Sequence, residues 1–88
     1  MSAATESDAR IREIRVTDDK IIADLMDGRT ISVPLAWSWR LAEATREQRA
    51  NVRIIGNGQV ARWPDVDEDI SARGMLAGVP APRPKQFA

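Results

Sequence analysis

The sequence predicts a small α+β domain: two antiparallel β-hairpins, about five strands in all, with short helices packed on one face. Three observations carry this expectation. In the stretch 51–71, NVRIIGNGQVARWPDVDEDIS, an Asn57-Gly58 pair sits between two apolar runs. That is the strongest short-range hairpin signal, because both central residues of a type I′ turn need positive φ. Upstream, two further apolar runs flank Asp27-Gly28, which predicts a second hairpin. Between the hairpins, AWSWRLAEATREQRAN (36–51) has the residue choice and spacing of helix.

Taken in order, residues 1–10 are expected to form a disordered polar leader, 11–78 a single α+β domain and 79–88 a Pro-rich mobile tail. Ile11–Val16 reads as a first strand, with Ile14 and Val16 on one face. Thr17-Asp18-Asp19-Lys20 is a polar turn. Ile21–Leu25 and Arg29–Val33 then pair across a loop whose length can be chosen by register. A two-residue turn sets Leu25 opposite Thr30 and mixes apolar with polar. A three-residue loop (Met26, Asp27, Gly28) pairs Leu25 with Arg29, Ala23 with Ile31 and Ile21 with Val33, a cleaner apolar face. The longer loop is preferred, and it needs Gly28 for positive φ.

Pro34 ends the third strand. Trp37, Leu41 and Ala44 form an apolar stripe at i, i+4 and i+7. Thr45-Arg-Glu-Gln48 is a capping box inside the helical stretch, which predicts two short helices with a break at Thr45. In the second hairpin a two-residue turn places Val52 and Ile54 opposite Trp63 and Ala61 on one apolar face. Pro64 stops that strand, since it has no N–H for the ladder. Ser71 caps a last short helix with Met75 and Leu76 inward, and Gly78 ends it.

Composition narrows the function. Eighty-eight residues with 43% hydrophobic and 30% charged side chains fit one ordinary globular domain. Thirteen basic residues balance thirteen acidic ones, so a dedicated nucleic-acid binder is not favoured. The chain has no Cys, His or Tyr. The commonest general base, metal-ligating imidazole, thiolates and a phenolic acid are therefore all missing. No apolar run spans a bilayer and no signal peptide opens the chain, so the cytoplasm is the expected location.

Asp65-Val66-Asp67-Glu68-Asp69 is the one concentrated motif. Its alternating acids imitate the start of a calcium loop, yet Ile70 stands at the required Gly and Leu76 at the required bidentate Glu. Paired carboxylates for glycosidic chemistry lack a supporting cleft in so small a chain. Structural use is the plainer reading: acids ahead of a helix are stabilised by its dipole, and one can hold an arginine of a neighbouring strand. The three tryptophans divide differently. Trp63 and Trp37 are expected in the core, whereas Trp39, about 200° from Trp37 on a helix, faces elsewhere. Beside Arg40 it is either an anchor for a protein partner or a cover for the sheet edge. The candidate partner-binding residues are therefore Trp39, Arg40, Asp65, Asp67, Glu68 and Asp69, with no catalytic, cofactor or metal residues among them.

At Trp63-Pro64-Asp65-Val66-Asp67-Glu68-Asp69-Ile70 the chain resembles the small bacterial domain-of-unknown-function family 2442, with its Trp-Pro-x-x-Asp-Glu-Asp-Ile signature. Asp27-Gly28-Arg29, Val33-Pro34-Leu35, Trp39-Arg40-Leu41 and Ala44-Thr45-x-x-Gln48-Arg49 agree with it. Trp39 departs from it, since members often carry Pro before the Arg-Leu pair. The resemblance implies a compact α+β domain with no established activity and no catalytic residues to carry over. Pairing of similar genes in toxin–antitoxin-like arrangements, and fusion of similar domains to helix-turn-helix segments, imply partner binding or regulation. The expectation is a non-enzymatic protein-binding module, monomeric or weakly dimeric, without cofactor, metal or membrane partner. A nucleic-acid-associated regulator is the alternative, and a carboxylate-only metal site or enzyme a distant third.

Overall fold

The first three strands are β1 (Ile11–Val16), β2 (Lys20–Leu25) and β3 (Thr30–Pro34), joined into one antiparallel sheet in that order. The structure, a computed structural model, describes residues 9–78. The expected tail and most of the expected leader lie outside them. Ala9, at the leader's end, is buried in the core, and the Arg10 carbonyl accepts from the Met26 N–H at 2.8 Å.

Loop chemistry sets the register of this sheet. The Leu25 N–H donates to Arg29 and the Gly28 N–H donates back to Leu25, closing the three-residue loop with Gly28 at φ 95°. Ala23 then faces Ile31 and Ile21 faces Val33, the pairing expected from the apolar pattern. Asp24 and Thr30 meet on the other face, where the Thr30 hydroxyl donates to the Asp24 carboxylate at 2.9 Å. A Cβ at Gly28 would touch nothing within 4 Å, so only the backbone resists substitution there. Gly28→Val should therefore cost about 1–2 kcal/mol, the strain of a β-branched residue at positive φ. Thermal unfolding checks this, and an unchanged melting temperature would contradict the assigned loop.

The second sheet holds β4 (Arg53–Ile55), β5 (Val60–Trp63) and β6 (Glu68–Ser71), again antiparallel and in sequence order. Ile54 pairs with Ala61 and Ile55 with Val60 around an Asn57-Gly58 turn in which both residues have positive φ. The tip of this hairpin docks on the start of β1, where the Ile11 N–H donates to the Gly58 carbonyl at 2.6 Å. A side chain at Gly58 would come within 2.9 Å of the Arg10 Cβ, so close approach as well as φ requires glycine. Six strands form among the described residues, close to the expected five or so; the added one is β6.

The helices are short because each is stopped by its own chemistry. A 3-10 turn (Leu35–Trp37) leads to Ser38, which caps α1 (Trp39–Ala42). Thr45 then starts α2 (Arg46–Ala50) through the expected capping box: its hydroxyl accepts from the Gln48 N–H while the Gln48 side chain accepts from the Thr45 N–H. Ser71 caps α3 (Ala72–Ala77), and Gly78 ends it in the left-handed region.

One core draws on both sheets and the helices: Ile11, Ile14, Ile21, Ala23, Leu25 and Val33 meet Ala61, Trp63, Leu35, Leu41, Ala72 and Met75. Trp63 is fully buried, and Trp37 packs against this core. Two apolar expectations fail. Ile54, expected on the inward face of its hairpin, is 38% exposed, because β4 is an edge strand whose three residues all reach solvent. Leu76, expected inward, is 37% exposed, since the six-residue α3 turns Ala72 and Met75 to the core instead. Among the described residues no helix is long and apolar enough to cross a membrane.

Candidate functional site

The acidic run does not lead straight into a helix. Pro64 to Asp67 make a turn with Asp67 at φ 54°, and Glu68 begins β6, pairing with Trp63. The expected placement just ahead of α3 is thus corrected: a strand intervenes, and the first turn of α3 carries no acidic residue. Strand alternation then separates the acids. Glu68 points inward and is 4% exposed, while Asp65, Asp67 and Asp69 are exposed.

Buried charge needs partners, and Glu68 has three. One carboxylate oxygen accepts from the Ser38 hydroxyl at 2.5 Å. The other accepts from the Asp69 N–H at 3.1 Å and lies 3.7 Å from the Arg40 guanidinium. Ser38, itself 1% exposed, also accepts from the Leu41 N–H at 3.3 Å, which is its capping bond. The Ser38–Glu68 contact therefore fastens the start of α1 to the start of β6. Both side chains are nearly fully buried, which fits a structural tie between these two elements.

Outside, the Arg62 guanidinium holds Asp67 at 2.8 Å and Asp69 at 2.9 Å. Its hydrogen bond and charge keep the Asp67 carboxyl below its ordinary range, with a smaller contribution from Arg40. The two aspartates in turn raise Arg62. Asp65 takes a separate partner, the Asn51 side-chain amide at 3.0 Å. The carboxylates are thus distributed over Arg62, Asn51, Ser38 and Arg40 instead of converging on a point. Among the described residues no group of three acids could hold a metal ion.

Trp39 and Arg40 are the first two residues of α1. The Arg40 guanidinium carbon lies 4.8 Å from the centroid of the Trp39 ring, within cation–π range. Both side chains are half-buried. Glu68 therefore links the two halves of the sequence-derived set: it anchors Arg40, and Arg40 lies over Trp39. Asp67 lies within reach of the Arg40 charge, whereas Asp69 turns to Arg62 and Asp65 is drawn off toward α2. Sequence reasoning missed Ser38, although a Ser three residues before Leu41 is a recognisable N-cap pattern. It foresaw an arginine for the acids without identifying Arg62.

Residues 11–81 match the family described as "Protein of unknown function (DUF2442)". A crystal structure of a protein of unknown function from Rhodospirillum rubrum is similar at 28% identity and a TM-score of 0.73, over 85% of this chain and 93% of that one. The solution structure of an uncharacterised protein from Chromobacterium violaceum shares the fold at 21% identity and a TM-score of 0.69, over 83% of this chain and 69% of that one. Comparison with curated proteins finds no match.

Proposed function

The chain belongs to the DUF2442 family, and on that premise we propose that it is a non-enzymatic protein-binding module. In its finer form the reading is regulatory: the antitoxin-like half of a two-gene pair, acting in the cytoplasm. The observation that carries the proposal is the half-buried Trp39 with Arg40 over its ring, with the exposed Asp67 within reach of the Arg40 charge. Trp and Arg are both among the residues enriched at binding hot spots. A non-catalytic role is supported by the lack of Cys, His and Tyr and by the structural use of the buried Glu68.

Exposed charge at the border of such a surface steers encounter more than it holds the complex. Asp67→Asn combined with Asp69→Asn should therefore lower kon about two- to tenfold, flatten its salt dependence and leave koff nearly unchanged. The partner for this measurement is recovered with tagged protein from the native host, and the product of an adjacent reading frame is assayed first. Unchanged kon and salt dependence with every recovered partner would remove the acids from the surface. Recovery of nucleic acid alone would replace the proposal with the nucleic-acid-associated regulator.

A further inference from the structure

We propose that the free edge of β1, together with α2, forms a second docking site, which takes an extended acidic segment of a partner protein as an added strand. This goes beyond the Trp39 surface and does not depend on it.

β1 lies at the end of its sheet, with β2 as its ladder neighbour. The Thr17 N–H donates to the Lys20 carbonyl at 2.8 Å, so Thr17 and Lys20 form a hydrogen-bonded pair. In an antiparallel ladder such pairs alternate, which makes Arg15–Ile22 the next one. The N–H and C=O groups of Ile14 and Val16 then project away from β2, those of Val16 from a half-buried residue and those of Ile14 from one only 5% exposed. Nearer the start of the strand this edge is occupied, because the Ile11 N–H reaches the Gly58 carbonyl. Its second half instead faces a cleft of about 570 Å³ lined by Ile14, Val16, Ala50, Val52 and three arginines, Arg15, Arg46 and Arg49, with Thr17 and Asp18 at one end.

The chemistry of this cleft selects its occupant. A strand laid along β1 alternates its side chains between two faces. One set would lie beside Ile14, Val16 and Val52, and the other beside Arg15. Asp18 sits 3.7 Å from Arg46 and 3.5 Å from Arg49, and Arg15 holds Asp24 at 3.1 Å. Three guanidiniums against two carboxylates leave one positive charge in excess. Arg46, with 86% of its side chain exposed, is placed to meet an incoming acid. An alternating aliphatic–acidic segment matches both the open backbone groups and the charge; strand addition supplies affinity through the main chain and specificity through alternate side chains.

The test uses the full chain and a labelled, end-blocked octapeptide, Gly-Val-Glu-Val-Asp-Val-Glu-Gly. Fluorescence polarisation gives the affinity, and amide NMR reports the site. Submillimolar binding that shifts the Ile14 and Val16 amides is expected. N-methylation of the peptide at the amides facing the edge should weaken binding about tenfold or more, through lost ladder bonds, without altering the protein. Replacing the peptide acids with Lys, or making Arg46→Glu in the protein, should weaken it about threefold or more. The proposal is overturned by no binding at 1 mM peptide (about the weakest affinity worth assigning), by equal binding of the N-methylated or Lys peptides, or by shifts confined to other residues. It is also overturned if the Ile14 and Val16 amides are protected in a concentration-dependent manner without peptide, since the edge then belongs to a second copy. Trp39→Ala should leave this binding intact, which separates its failure from failure of the Trp39 surface.

Discussion

Trp63→Ala is expected to cost about 3–5 kcal/mol, a large share of the stability of so small a domain. The indole is fully buried, and its Nε1–H donates to the Arg49 carbonyl at 2.9 Å near the end of α2. Truncation therefore removes a large apolar volume and also orphans a partly buried carbonyl. Arg49 adds to the damage, because its guanidinium donates to the Leu41 and Ala42 carbonyls at the end of α1, at 2.9 and 3.2 Å. Losing Trp63 thus loosens the residue that joins both central helices to the second sheet. Urea unfolding with circular dichroism measures the change. A loss below about 1 kcal/mol would mean the site collapses around the deletion and that Trp63 is not the centre of the core.

Glu68→Ala should rank next, at about 2–4 kcal/mol, and for a different reason. No large volume is lost, but the Ser38 hydroxyl and Asp69 N–H lose their acceptor in a buried place, and Arg40 loses its ion partner. Glu68→Gln keeps one acceptor oxygen and should cost roughly half as much. The two variants together identify the cause. Equal losses would assign the effect to the carboxylate's charge, a loss confined to Glu68→Ala would assign it to packing, and no loss in either would show that solvent replaces the carboxylate.

What the sequence made legible was local. Gly28 in its loop, Asn57-Gly58 in its turn, the Thr45–Gln48 capping box, and the Ser71 and Gly78 boundaries each depend on groups within a few residues. Their backbone requirements can be read without knowing the rest of the fold. The strand β6 could not be read in that way. Glu68-Asp69-Ile70-Ser71 lacks a strong β pattern, and its inward residue is a charge. It forms a strand because Trp63 offers a ladder across the turn and because Ser38, thirty residues away in sequence, supplies a donor at the buried end. The same distance in sequence hid the link between Trp39–Arg40 and the acidic run, although both were singled out. Ile54 and Leu76 were misplaced for the converse reason: alternation and helical spacing identify a face, but only the tertiary arrangement decides whether anything covers it.

The separation of Trp39 from the folding core is most directly tested by Trp39→Ala, with unfolding and partner dissociation measured on the same preparation. The predicted result is a loss of stability below about 1 kcal/mol, as for a surface residue, with koff raised by about 2 kcal/mol, or roughly thirtyfold. Unfolding of the domain by this substitution, or an unchanged koff for every recovered partner, would contradict it and make Trp39 a structural residue like Trp63.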